Sequence, residues 1–351
     1  MVTVCKLSRL AGLLLVLIVA GCGNPNDNDQ KKLEVSKESN NPLGRLDSLN
    51  RAISADSANP DLFYQRAKYY LDHEAFNEAF KDITSALELD SSYSPYYVTL
   101  SDVYLSMNKL QKSVEALEKA IEINNSETDA YLRLAEISIV VGDYRKAFAN
   151  IDHALRVDEL SERAYFLRAI ALLETGDTIR AIKNLQRSIE VNQDYFDPYV
   201  QLARLYAGKK NKLAVDYYNA ALNLQPDNLE ILYSLAMFYQ NTGEYDKAIS
   251  KYNLILEKDP TFYFALYNIG YIQLVYLEDY ASAVDYFTQA IDLKPDYVEA
   301  WYNRGFAREL MKDVQNAYQD YQKALEYRPN YDKAVQGLNR IDLYLKTQAN
   351  Q

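Results

Sequence analysis

Two thiols, two imidazoles and a surplus of phenols are the groups in this sequence with chemistry to offer. Cys5 and Cys22 both fall within the first 22 of 351 residues, so everything beyond them lacks a thiol for a disulfide, a metal site or a nucleophile. His73 and His153 stand far apart, and no glycine-rich phosphate loop, zinc-ligand spacing or nucleophile elbow accompanies them. Carboxylate pairs such as Glu118/Glu122 and Asp152/Asp158 follow helical spacing and read as solvated faces. General acid–base catalysis needs a carboxylate or imidazole with a shifted pKa in a pocket, and the spacing points to none. The expectation is a protein that is not an enzyme, with no metal and no cofactor. The unusual total is 32 Tyr beside a single Trp, an excess that reads as largely structural.

The formal charge is −11. Affinity for nucleic acid comes mainly from clustered Lys and Arg displacing counterions, and no basic cluster offsets the acidic balance, so nucleic acid is not an expected partner.

Residues 1–22 read MVTVCKLSRLAGLLLVLIVAGC. Lys6 and Arg9 form a short basic region and Ala11–Ala20 an apolar run. That run is well under the ~20 residues a membrane-spanning helix requires but suits the core of a secretory signal. Val19-Ala20-Gly21-Cys22 resembles the bacterial lipobox, in which the cysteine becomes the acylated first residue of the mature protein. The resemblance implies lipidation at Cys22, a signal peptide over 1–21, and, with Gly23 and no Asp following, an outer-membrane lipoprotein of undetermined face. The competing reading is a plain secretory signal. Two or more acyl chains anchor durably, because each buried CH₂ contributes about 0.8 kcal/mol. Residues 22–41 are polar with almost no apolar content and read as a flexible tether. The membrane is then a partner through the lipid alone.

Any site must be carried by the rest of the chain, which repeats itself. Repeat starts fall at Pro60, Ser94, Thr128, Glu162, Phe196, Leu229, Tyr263 and Val298, spaced 33–35 residues apart, and the last repeat ends at Tyr331. Small residues recur at three positions. The first is Ala67, Ser101, Ala135, Ala169, Ala203, Ala236, Gly270 and Gly305. The second is Ala79, Ser113, Ala147, Ala181, Ala214, Ala248, Ala283 and Ala317. The third is Ala86, Ala120, Ala154, Ser188, Ala221, Ile255, Ala290 and Ala324. Large residues recur between them, as at Ile83, Leu117, Ile151, Leu185, Tyr218, Tyr252, Phe287 and Tyr321. Small side chains in register allow helices to cross closely. Pro226, Pro260, Pro295 and Pro329 end four second helices, and Gly142, Gly176 and Gly243 mark turns inside repeats.

A 34-residue period with this pattern resembles the tetratricopeptide repeat, two antiparallel helices per unit. The resemblance implies an all-α fold: an α-solenoid wound as a right-handed superhelix of eight helix pairs over 60–331. A capping helix is expected over 42–59 and another over 332–351, for about 18 helices in all. The final helix is expected to turn Val335, Leu338, Ile341 and Leu345 inward and to leave Lys333, Arg340, Asp342 and Lys346 to water.

In that family the first helices line a concave groove through positions 2, 5, 6, 9 and 12–13, and partners bind there. Position 9 carries Lys68, Asp102 and Glu136 in repeats one to three. In repeats six to eight, positions 5 and 9 carry Tyr233, Met237, Tyr267, Tyr271, Tyr302 and Phe306. Exposed aromatic clusters mark binding sites, and Tyr offers large contact area at low entropy loss. Asn268 and Asn303, at position 6, match the asparagine ladder that some members use to hydrogen-bond a peptide backbone. Lys68, Arg133 and Arg204 are too scattered for the clamp that grips a C-terminal carboxylate. The sequence therefore reads as a membrane-tethered scaffold or adaptor that holds a protein or peptide partner in its groove, in envelope assembly or secretion. The alternatives are a glycan-binding surface lipoprotein, since such rings also stack on sugars, and an architectural spacer, with the groove rings packed on one another or on the final helix and holding no ligand.

Overall fold

The computed structural model describes residues 42–349, so the readings made for 1–41, including Cys22, lie outside the described residues. Within them the chain forms eighteen α-helices and no strand. A leading helix, α1 (Pro42–Ala55), precedes eight pairs. These are α2 (Pro60–Asp72) with α3 (Phe76–Leu89), α4 (Ser94–Ser106) with α5 (Leu110–Ile123), α6 (Thr128–Val140) with α7 (Tyr144–Val157), and α8 (Glu162–Glu174) with α9 (Thr178–Val191). They continue as α10 (Phe196–Gly208) with α11 (Leu213–Leu224), α12 (Leu229–Asn241) with α13 (Tyr245–Lys258), α14 (Tyr263–Val275) with α15 (Tyr280–Leu293), and α16 (Val298–Leu310) with α17 (Val314–Tyr327). A last helix, α18, spans Asp332–Ala349. The chain divides between Gln193 and Asp194 into two compact units of four pairs each.

Every one of the 24 small sites is buried, Ile255 among them. In each pair the large residue between the two small sites of the second helix is buried as well, from Ile83 in the first to Tyr321 in the last. Where that residue is Phe287 or Tyr321, the facing first helix carries glycine. A Cβ on Gly270 would stand 3.0 Å from the Phe287 ring, and one on Gly305 would stand 3.0 Å from Tyr321. Ring and glycine fit each other; alanine would force the ring to move.

The turn inside each pair has a requirement that only three glycines advertise. Gly142, Gly176 and Gly243 have φ of 80–88°. The equivalent residues in the other five pairs are Glu74, Asn108, Lys210, Glu278 and Lys312, all with φ of 50–66°. The left-handed residue is thus a property of the repeat, tolerated by non-glycine side chains because the turn is open to solvent. The irregular repeats absorb their length changes here: α11 has 12 residues where the other second helices have 14, and repeat seven has four residues, 276–279, between its helices.

The final helix departs from expectation. Its inward face is Ala334, Gly337, Leu338 and Ile341, while Val335 is 39% and Leu345 51% exposed. Gly337 sets this rotation: it lets the helix backbone rest on the Tyr321 ring, where a Cβ would stand 2.5 Å from the nearest ring atom. Arg340 is exposed as expected, with 44% of its side chain in solvent, and is also held by the chain. It makes two bonds of 2.8 Å to Glu309.

Candidate functional site

Within the second unit the first helices lie side by side, α14 beside α16 and α16 beside α18. This places positions 5 and 9 of successive repeats in one row. Tyr233, Met237, Tyr267, Tyr271, Tyr302 and Phe306 are all half-buried along it. Phe264, at position 2 of repeat seven, joins them at 42% exposure and was not singled out from the sequence. The rings touch one another throughout. Tyr233 packs on Phe262 at 5.6 Å and on Phe264 at 6.5 Å between centroids. Tyr267 packs on Tyr297 at 4.8 Å and Tyr271 at 6.4 Å, and Tyr302 packs on Phe306 at 6.2 Å and Tyr331 at 5.7 Å.

Asn268 and Asn303 belong to the same row but face into it. They are only 7% and 8% exposed. Asn268 Nδ2 donates to the Tyr233 hydroxyl at 2.9 Å, and Asn303 Nδ2 donates to the Tyr267 hydroxyl at 2.9 Å. Each asparagine thus fixes the phenol of the preceding repeat, and a ladder runs across the helices from within the protein. Thr99 stands in the same relation to Tyr64 in the first unit. Burial raises the Tyr233 and Tyr302 phenols above their ordinary value, against the pull of Asn268 and Arg340 respectively. They remain neutral and protonated near neutrality. Phenols held in this way are preorganised, and a partner loses less entropy in ordering them.

The corresponding face of the first unit is different in kind. Arg133 pairs with Asp102 at 3.0 Å and with Glu136 at 3.2 Å, and Arg163 pairs with Glu136 at 2.7 Å. Burial pushes the Asp102 carboxyl up, against the pull of Arg133 and Arg163. The charges seen at position 9 therefore answer one another along the row, and Arg133 is not available to a ligand carboxylate. Lys68 lies over the Tyr64 ring at 5.4 Å. In the second unit Arg204 is paired with Glu230 at 2.7 Å.

The His73 ring lies on Tyr69 with centroids 4.0 Å apart, its Nδ1 2.7 Å from the Tyr69 carbonyl oxygen; the His153 ring lies on Tyr131 at 5.0 Å.

What sequence reasoning missed is a polar staple in the helix pairs that bound the array. Arg304, at position 7 of repeat eight, donates to Asp320 through Nε at 3.0 Å and Nη2 at 2.7 Å, and to Thr288 at 3.0 Å. Arg66, at position 7 of repeat one, does the same with Asp82 at 2.6 and 2.7 Å and Asn50 at 2.7 Å. Arg168 at the same position of repeat four reaches Asp152. The signal was an Arg at position 7 with an Asp sixteen residues on, visible at Arg66/Asp82 and Arg304/Asp320.

Tetratricopeptide-repeat family models match residues 94–127, 162–195, 217–250, 265–297 and 298–331. RNA polymerase II-associated protein 3 of Xenopus tropicalis is 31% identical over 141 residues, 40% of this chain and 20% of that protein. Photosystem I assembly protein Ycf3 of Acaryochloris marina is 34% identical over 100 residues, 28% of this chain and 51% of that protein. The chain thus spans a fifth to about half of the length of these curated relatives. Among solved structures, that of MamA has a TM-score of 0.38 at 22% identity, covering 43% of this chain and 89% of its own. The APC/C hetero-tetramer Cut9-Hcn1 has a TM-score of 0.45 at 18% identity, covering 85% and 59% respectively.

Proposed function

We propose that this chain is a non-enzymatic tetratricopeptide scaffold that holds a segment of a protein partner on the first-helix face of repeats six to eight. It is tethered to a bacterial outer membrane through lipid on Cys22 and serves envelope assembly or secretion. The observation that carries the binding reading is the aromatic row: half-exposed rings whose hydroxyls are fixed from behind by Asn268 and Asn303. A row meant only to fill the core would be covered, and one meant only for solvent would not have its phenols held in place. Tyr and Trp dominate the energetics of interfaces of this kind.

The test is a double replacement of rings that carry little of the fold. Phe264 is 42% exposed and Tyr271 half-buried, so Phe264→Ala with Tyr271→Ala should leave the far-ultraviolet circular dichroism unchanged. It should weaken a crosslink-identified partner by at least ~30-fold, about 2 kcal/mol. Unchanged affinity rules the face out. The anchor is tested by Cys22→Ser, which should move the protein from the membrane fraction to the soluble fraction; a variant that stays membrane-bound removes the lipid from the proposal.

A further inference from the structure

The row already holds ligands of a kind, supplied by the chain. Repeat eight presents a nearly parallel pair, Tyr302 and Phe306, with ring planes 3° apart. The final helix, α18, sets a cation on each ring: Lys333 Nζ is 5.9 Å from the Tyr302 centroid, and Arg340 Cζ is 5.7 Å from the Phe306 centroid. The negative face of an aromatic ring attracts ammonium and guanidinium groups, and α18 satisfies repeat eight in that way.

Repeat seven builds the same pair one repeat earlier. Tyr267 and Tyr271 stand 6.4 Å apart with planes 28° from parallel. The positions on α16 that correspond to Lys333 and Arg340 on α18 are Glu299 and Phe306. Among the described residues no lysine or arginine lies over the Tyr267 or Tyr271 ring, as Lys333 and Arg340 do over the next pair. A carboxylate stands where the next repeat has a cation. Glu299 is paired with Arg328 at 2.8 Å but keeps 34% of its side chain exposed.

Resting on the reading that this face holds a partner segment, we infer that the segment is basic. An arginine or lysine side chain of the partner lies against the side of the half-buried Tyr267–Tyr271 pair that α16 leaves open, with Glu299 as counter-charge. The acidic balance of the chain, −11 overall, complements such a partner and speeds its encounter.

The experiment uses the full chain and fluorescein-labelled ten-residue peptides of Gly, Ser and Asn carrying two arginines, with norleucine in their place as the control, beside an oligosaccharide panel. The arginine peptide should bind, weaken as salt rises, and exceed the norleucine peptide by at least ~10-fold. Tyr271→Phe keeps the ring face and should stay within about threefold; Tyr271→Leu should lose at least ~10-fold. Both should retain the parent circular dichroism. If the norleucine peptide binds equally well and Tyr271→Leu weakens both, the groove stands and the basic partner is overturned. A response to sugars alone, or self-association that covers the face, overturns both.

Discussion

Replacing Asp320 by Ala lowers the stability of the last repeats by about 3–5 kcal/mol, the usual consequence of removing one member of a buried charge pair. Asp320 is 2% exposed and accepts from two guanidinium groups: Arg304 through two nitrogens, and Arg308 at 2.7 Å. Arg304 is itself 8% exposed and has Thr288 as its remaining side-chain partner. Without the carboxylate a buried cation is left among apolar side chains. Arg308→Ala is the control, because Arg308 keeps 22% of its side chain in solvent and should contribute no more than about 1 kcal/mol. Trp301, the one tryptophan, reports the event locally. Its ring lies 4.7 Å from the Arg304 guanidinium carbon, and its Nε1 donates to the Pro295 carbonyl at 2.7 Å. Repeat arrays unfold in parts, so urea unfolding followed by Trp301 fluorescence reads the repeat in question and not the whole chain. The consequence reaches the aromatic row, since α16 carries Tyr302, Asn303 and Phe306 as well as Arg304. If Asp320→Ala and Arg308→Ala unfold within about 1 kcal/mol of each other, the staple is a surface ornament.

How far these features could be read from the sequence depends on whether they repeat. The 24 small sites and the large residue between them recur every 34 residues because the same helix crossing recurs, so register alone exposed the pairs. Turn positions were half legible: Gly142, Gly176 and Gly243 declared a left-handed residue, whereas Glu74 and Lys312 hold the same conformation without a residue type that announces it. Position 6 was legible as polar but not in its direction. Its type suggests an Asn303 that faces a partner, whereas the Asn303 amide donates to the Tyr267 hydroxyl, a phenol one repeat back that is within reach. In the final helix amphipathic spacing points inward at Val335 and Leu345, and both are exposed. Gly337 overrode it by admitting a ring, a relation between residues 16 apart that hydrophobic pattern does not encode. The eight residues nominated for binding do share one row, since positions 5, 6 and 9 of neighbouring first helices are bound to align once the period is right.

That same ring gives the second large effect. Tyr321 is fully buried; it fills the space left by Gly305 and Gly337, and its hydroxyl donates to Glu309 at 2.5 Å. Burial raises the Glu309 carboxyl, but hydrogen bonds from Arg340 and Tyr321 outweigh it, so the group sits below its ordinary value and stays charged. Tyr321→Ala removes the floor on which α18 rests and should destabilise the end of the chain by about 3–5 kcal/mol. Tyr321→Phe keeps the floor and removes one hydrogen bond to a charged group that Arg340 still serves, so about 1–2 kcal/mol is expected. Gly337→Ala attacks from the other side: the new methyl meets ring atoms at 2.5–2.8 Å, which overpacks the contact at about 1–3 kcal/mol. The two sites are in contact, so their effects cannot add. Gly337→Ala should be milder when Tyr321 is already Leu than when the ring is present. Hydrogen exchange along 332–349 is the direct measurement, because α18 should lose protection before the helices of repeat eight do. If Gly337→Ala has the same effect with and without the ring, Tyr321 is not what holds the last helix, and Lys333 and Arg340 must reach the Tyr302–Phe306 pair by some other support.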